Sequence, residues 1–400
     1  MLSNSGGGGE RVLWTVIRSI QERYQNIVCV VYTGDTDVTK DAILEKVKIR
    51  FSIKLNSDNL FFVFLKKRKW VEDSRYPRFT LLGQSLGSIV LGFEALVKLT
   101  PNFYFDTMGY AFTYPLKIIF GCKVGAYVHY PTISSDMLSK VQEMRPGFNN
   151  DQEIARSRIF TGTFSDLVMV NSTWTKGHID QLWRVNSKIV YPPCDTASLT
   201  KLPLEGRQRI IVSVAQFRPE KDHFLQLQSF HCLLSNHPNF RQGPEKVELV
   251  LIGSSRNQGD ESRILILKEL CKDLDLEDNV TFEINASFEK LVYWLSIAKV
   301  GLHTMWNEHF GIGLIPVVHN SGGPKMDIVV PYNDHITGYL ASTAEEFAIK
   351  LANVFSLSEI EFKNIQINAR ENVIGKFSES VFQDLILNLL DPMLQQNNNY

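Results

Sequence analysis

Residues 209–236, RIIVSVAQFRPEKDHFLQLQSFHCLLSN, run from an unbroken apolar segment through a charged turn into a helical pattern. RIIVSVA (209–215) does not alternate apolar with polar, as a strand with one wet face would; it reads as a strand covered on both sides. The same unit repeats downstream. VELVLIG (247–253), NVTFEI (279–284) and KVGLHT (299–304) are further strands, with helical stretches near 221–236, 260–275 and 287–298 between them. Continuous apolar strands alternating with helices predict a parallel, doubly wound α/β sheet.

The amino-terminal half reads the same way. NIVCVVYTGD (26–35), NFYFDT (102–107), KVGAYV (123–128), DLVMVNS (166–172) and KIVYPP (188–193) have strand length, and 83–99 is an amphipathic helix with Leu86, Ile89, Val90, Phe93 and Leu96 at helical spacing. The Pro-rich, polar stretch 192–209 separates the halves. The predicted organisation is one Rossmann-like domain over 1–195, a linker over 196–208 and a second Rossmann-like domain over 209–377. A helix over 378–391 follows, with Val381, Phe382, Leu385 and Leu389 on one face and Pro392 ending it; 392–400 reads as a disordered tail.

Composition narrows the function. The 400 residues are 44% hydrophobic and 21% charged, the balance of a folded globular chain. Lys and Arg total 42 against 43 Asp and Glu, so no global field draws the protein to nucleic acid. No run of 18 apolar residues occurs, and MLSNSGGGGE lacks the pattern of a signal peptide, so neither a membrane span nor secretion is expected. Five scattered cysteines make no C-x-x-C and are expected as reduced, buried or half-buried thiols. With no leader, the sequons at Asn171, Asn279 and Asn285 are expected to go unread.

In such folds ligands gather at the carboxyl ends of strands, and the unusual residues lie there. Gly6, Gly7, Gly8 and Gly9 precede a helical pattern; they either bring main-chain N–H groups to an anion or form a loose terminus. Asp35 and Asp37 form a D-x-D, a spacing that suits a metal–diphosphate but suits a surface turn better. NLFFVFLKKRKW (59–70) is either a core strand entering a basic loop or a membrane-surface patch. His129 ends a strand between aromatic residues, where a satisfied polar residue and a substrate contact are both open. Arg218 and Lys221 stand three residues apart at a helix start, a spacing that can neutralise a diphosphate without a metal; a plain helix cap would explain Pro219 and Glu220 but does not need both cations. Glu308 beside glycines is either a sugar-hydroxyl ligand or a solvated turn acid. The glycines of His319–Pro324 again open a helix. G-x-G-x-x-G and H-E-x-x-H are missing from the sequence.

Taken in order, GGGGERVLW (6–14), VEDSRYPRFTLLGQSLGSI (71–89), YVHYPTISSDML (127–138), VMVNSTWT (168–175), VYPPCD (190–195), QFRPEK (216–221) and LHTMWNEHFGIG (302–313) resemble retaining nucleotide-sugar glycosyltransferases of family 4. The resemblance covers nearly the whole chain. It implies a GT-B fold, two Rossmann-like doubly wound domains facing a cleft, and metal-independent transfer of mannose from GDP-mannose, in α-1,2 linkage, to dolichol-linked oligosaccharide. It also implies work at the cytosolic face of the endoplasmic reticulum membrane, beside other N-glycan assembly mannosyltransferases. By that resemblance, donor binding falls to Arg218, Lys221, Phe310, Gly311, Ile312 and Gly313. Glu308, the first acid of an E-x7-E motif, and His129 stand at the transferred sugar, and Gly6–Gly9 approach phosphates and acceptor.

Four departures stand out. Position 316, where the second acid belongs, is Pro316, and the small-residue helix that follows that acid in the family is missing. The family's amino-terminal membrane helix and an apolar stretch near Arg156–Ile159 also have no counterpart, leaving 59–70 as the expected membrane contact.

Overall fold

The computed structural model describes residues 8–77, 80–130, 161–305 and 314–395. It divides into two compact units, one of 1–194 together with 379–400, the other of 195–378.

In the first unit, α1 (Gly8–Arg23) leads to β1 (Cys29–Thr33), α2 (Lys40–Phe51) and β2 (Leu60–Phe64). β1 and β2 pair in parallel, Cys29 opposite Leu60. Residues 59–70 thus begin as a strand, the plainer of the two readings, and continue through the exposed Lys66 and Lys67 into a 3-10 turn, Arg68–Val71. After α3 (Thr80–Lys98) come β3 (Phe103–Asp106), α4 (Lys117–Phe120), β4 (Lys123–Val128), β5 (Leu167–Val170) and β6 (Lys188–Ile189), and β3 to β6 form a second parallel sheet in that order. Buried Asp106 ends β3, its carboxylate accepting from Met108 N, Tyr110 N and Tyr114 Oη, each at 2.8 Å.

α3 is a helix as predicted, but its buried face differs. Leu91, Ala95 and Leu96 go inside beside Ser85 and Ser88, while Leu86 and Phe93 are exposed. Close packing of small residues decides this. A Cβ on Gly87 would stand 1.7 Å from Trp70 O, and one on Gly92 would meet Thr113 at 2.7 Å. Neighbouring segments therefore seat on the small residues, and the larger apolar ones turn outward.

The second unit holds one six-stranded parallel sheet, ordered β12 (Tyr339–Ala341), β11 (Ile315–His319), β10 (Ala298–His303), β7 (Gln208–Val214), β8 (Glu248–Gly253) and β9 (Val280–Ile284). Its main core joins Ile211, Leu249, Leu251, Val300 and Val317 to Phe230, Leu267 and Phe347 from flanking helices. Residues 196–208, read above as a linker, are held against this unit: Arg370 donates to Thr200 O and Leu202 O, both at 2.9 Å, and Arg207 donates to Leu295 O at 2.9 Å.

The last helix, Glu379–Leu394, returns to the first unit. Phe382, Ile386 and Leu390 are fully buried against Val12, Val16, Tyr127, Met169 and Val190. The buried residues are Phe382, Ile386, Leu387 and Leu390, with Leu389 half-buried on the same cluster, so Phe382 and Leu389 of the predicted face point inward while Leu385 is exposed. Pro392 does not end the helix, because Leu394 still packs on the same cluster and a proline in the last turn removes a single N–H. Arg18 pairs with Glu379, and Arg23 with Asp391 at 3.1 Å.

No disulfide joins the five cysteines, all of which are buried or half-buried. Asn171 and Asn279 are buried; Asn279 donates to Val247 O at 2.9 Å, which places its amide inside the fold. No described helix is long and apolar enough to cross a membrane.

Phe382→Ala should cost about 3–5 kcal/mol and lower the thermal midpoint of the first unit. Differential scanning calorimetry checks this, and an unchanged midpoint would show that the helix adds nothing to that core.

Candidate functional site

In the second unit, Ala215 N still bonds to Ile252 O at 2.9 Å, after which the chain leaves the sheet. Phe217 is buried, stacked on His223 with ring centroids 5.0 Å apart. Arg218 is extended, and Pro219 opens a single 3-10 turn, Pro219–Lys221. Proline suits that first position because its missing N–H would have had no partner there. Asp222 adopts the left-handed conformation (φ 46°) and caps the helix His223–Asn236 by accepting from Leu225 N at 3.2 Å.

The turn is fastened from a neighbouring strand. Thr304, one residue past β10, shares its hydroxyl proton between Lys221 O at 3.0 Å and Asp222 O at 2.9 Å. Gln226 Nε2 donates to the same hydroxyl oxygen at 3.0 Å. Both cations thus come from one short turn whose backbone is fixed. The Arg218 guanidinium is 3.8 Å from Glu220, a partly exposed and weak pairing, and the Lys221 ammonium lies 3.2 Å from Met305 Sδ.

Under the turn, burial first, and then the electrostatic influence of His303, Lys221 and Arg263, together push the His223 imidazole down to about 4, so it is neutral near pH 7. His319, at the end of β11, has Nδ1 2.8 Å from Ser321 Oγ; burial lowers its pKa, while Asp222 and Glu346 oppose that shift. The glycines after it do open a helical turn, with Gly322 at φ 52°. Three strand ends, those of β7, β10 and β11, therefore bring Lys221, Thr304 and His319 into one neighbourhood.

Glu308, Phe310, Gly311, Ile312 and Gly313 lie outside the described residues. Pro316 is described. It is the second residue of β11, buried and opposite Gly301 of β10. A Cβ on Gly338 would stand 2.5 Å from its ring, so Pro316 is strand packing and brings no polar atom to the pocket.

In the first unit the glycine run enters α1 at Gly8 and Gly9; Gly6 and Gly7 lie outside the described residues. A Cβ on Gly9 would stand 3.3 Å from His129 Nε2, so the start of α1 sits against the histidine that follows β4. A larger residue would push the imidazole aside. The positive end of a helix dipole and a histidine thus share one spot, an arrangement that attracts anions. The His129 ring lies 4.9 Å from that of Tyr127, whose hydroxyl donates to Val190 O at 2.7 Å. Next along the chain, Tyr130 lies 5.4 Å from Trp174, and Trp174 lies 4.2 Å from His178.

Asp35 of the D-x-D pairs with Arg68, and Asp37 stands in a turn, so the turn reading holds. Thr304, Gln226 and His223 were not singled out from sequence. A strand-end threonine facing a loop far away in the chain leaves no local pattern.

Two parallel-sheet units, one of them carrying a fixed cationic turn at its strand ends, define a glycosyltransferase of GT-B type. Two family models match: ALG11 mannosyltransferase N-terminus over residues 2–183 and Glycosyl transferases group 1 over 196–372. The chain belongs to the GDP-Man:Man(3)GlcNAc(2)-PP-Dol alpha-1,2-mannosyltransferase family. It is 48% identical to the Mus musculus member over 98% of this chain and 85% of that one. The Homo sapiens member is 47% identical over the same shares, and the Dictyostelium discoideum member 47% over 99% and 84%. The mouse alignment spans 423 positions, more than the 400 residues here, so that relative carries internal residues this chain lacks.

Solved structures share the fold. The Anabaena HepE protein in complex with UDP and glucose superposes with a TM-score of 0.64 at 16% identity, covering 96% of each chain. A Burkholderia multivorans trehalose 6-phosphate synthase gives 0.67 at 13%, covering 92% of this chain and 98% of that one.

His223 gives a pH prediction. Its folded pKa of about 4 lies below the ordinary 6.5, so as pH falls between those values the unfolded chain takes up the proton first and stability drops. Urea unfolding at pH 7 and pH 5 should show a steeper loss for the wild type than for His223→Asn. Parallel losses would show that His223 does not titrate on unfolding.

Proposed function

We propose that this chain transfers mannose from GDP-mannose, with retention and in α-1,2 linkage, to a dolichol-diphosphate-linked oligosaccharide. The observation that carries the reading is the Arg218–Lys221 turn fastened by Thr304 at the strand ends, in a chain whose relatives bear that activity in their names. Arg218 grips the diphosphate bidentately and Lys221 adds a point charge, so the departing GDP is stabilised without a divalent metal. Main-chain N–H groups of Gly311 and Gly313 assist, and Phe310 and Ile312 line the donor site. Glu308 holds the transferred mannose. His129 and the Gly6–Gly9 run receive the acceptor end.

In a front-side displacement the bond from the anomeric carbon to the diphosphate oxygen breaks. The acceptor hydroxyl oxygen bonds to that carbon on the same face, and its proton passes to the departing diphosphate. The site of action is the cytosolic face of the endoplasmic reticulum membrane, reached peripherally and shared with other mannosyltransferases of N-glycan assembly.

Pro316 supports a second reading, a chain of the same fold with weakened or lost turnover. Where the family pattern puts an acid on the nucleotide ribose, this chain has a buried strand proline. Loss of such a contact costs about 1–3 kcal/mol of donor binding.

Purified protein given radiolabelled GDP-mannose and a synthetic diphosphate-linked acceptor should yield a mannosylated product. Retained GDP-mannose binding with no product would favour the second reading, and tighter binding of a UDP-sugar by calorimetry would overturn the donor assignment. Arg218→Ala and Lys221→Ala should each lower kcat/KM by about 10²–10³, the scale of losing one charge-stabilising group. Thr304→Val should lower it about tenfold and cost about 1–3 kcal/mol of stability, since it strips a partner from the buried Gln226 amide and from two main-chain carbonyls.

A further inference from the structure

The packing of α3 on its small residues leaves an apolar stripe facing outward. Leu86, Val90, Phe93 and Val97 follow at four-, three- and four-residue spacing, so they share one helical face. Leu86, Phe93 and Val97 are exposed, Val97 to 62%. Beside the stripe stands α4. The Phe93 and Phe120 rings meet edge-on at 5.6 Å, and Ile118 and Ile119 are 70% and 71% exposed. The close approach of Thr113 and Leu116 at Gly92 fixes α4 to that flank.

The opposite flank is basic. At 100° per residue, Gly87 and Glu94 lie on the other side of the stripe from Gly92. The Glu94 carboxylate accepts from Lys66 N and Lys67 N, both at 2.9 Å, and pairs with Lys98 at 2.8 Å. That anchors the exposed Lys66, Lys67 and Lys69 along the helix. Farther along, Trp70 O passes over Gly87, and the Arg75 guanidinium lies 4.2 Å from the exposed Trp70 ring. Of the acids on this side, Glu94 is held by its lysine and two amides and Glu72 stands 3.5 Å from Arg68, and residues 66–75 carry five bases against Glu72 and Asp73.

We propose that this face seats the protein on an anionic lipid surface. Leu86, Phe93, Val97, Ile118 and Ile119 enter the boundary between headgroups and acyl chains, Trp70 lies at headgroup depth, and Lys66, Lys67, Lys69 and Arg75 meet the phosphates. Charge complementarity selects this occupant, because an apolar stripe with a basic rim matches hydrocarbon bordered by anionic headgroups. The proposal rests on the lipid-linked acceptor of the reading above. It places the insertion on α3 and α4, with 66–75 as its electrostatic rim.

The test is flotation of the full-length protein with phosphatidylcholine vesicles, with and without phosphatidylserine. The wild type should float with the phosphatidylserine vesicles. Ile118→Asp/Ile119→Asp should lower the bound fraction at least tenfold, and Lys66→Glu/Lys67→Glu/Lys69→Glu should abolish the preference for phosphatidylserine. Both variants should keep the wild-type melting temperature, since the altered side chains are exposed. Both should also keep wild-type transfer to a short-chain acceptor in detergent, so a failure of docking is distinct from a failure of the transferase reading. Full binding by the isoleucine variant, no flotation of the wild type, or a wild-type dimer that the isoleucine variant disperses would each overturn the proposal.

Discussion

A parallel strand sandwiched between helix layers has no wet face, so its chemistry can be shown only at its ends. That constraint orders both units. In the second, β7, β10 and β11 are apolar inside the sheet and turn polar where the chain leaves it, at Arg218 to Asp222, Thr304 and His319. In the first, β4 is buried along nearly its whole length and then delivers His129. The sheets are scaffolds that hold short polar loops to fixed places.

The loops themselves are held by backbone carbonyls more than by side-chain ion pairs. Thr304 grips the main chain of Lys221 and Asp222, so the backbone of the cationic turn is fixed from a neighbouring strand. Glycine plays the matching role in the first unit, where a helix start lies on an imidazole ring.

Much of this was legible in the sequence. The strands announced themselves as unbroken apolar runs, and the cationic turn was visible because Arg218, Pro219 and Lys221 follow such a run directly. What escaped reading depends on partners remote in the chain. The buried face of α3 was misjudged because its large apolar residues set the pattern, whereas Gly87, Ser88 and Gly92 decide which side neighbours can approach. The inward stripe of the last helix was only partly legible, Phe382 and Leu389 but not Leu385, because Val12, Tyr127 and Met169 choose it. Thr304 and Gln226 meet the turn across the fold, a pairing that no local pattern encodes.

The return of Glu379–Leu394 to the first unit makes the second unit an insertion within the first. During synthesis the amino-terminal half emerges with Val12, Tyr127 and Met169 lacking their cover, and they wait while the whole of 195–378 is made. The second unit, continuous in the chain, can close as it emerges. The first receives the last part of its core from its carboxyl end.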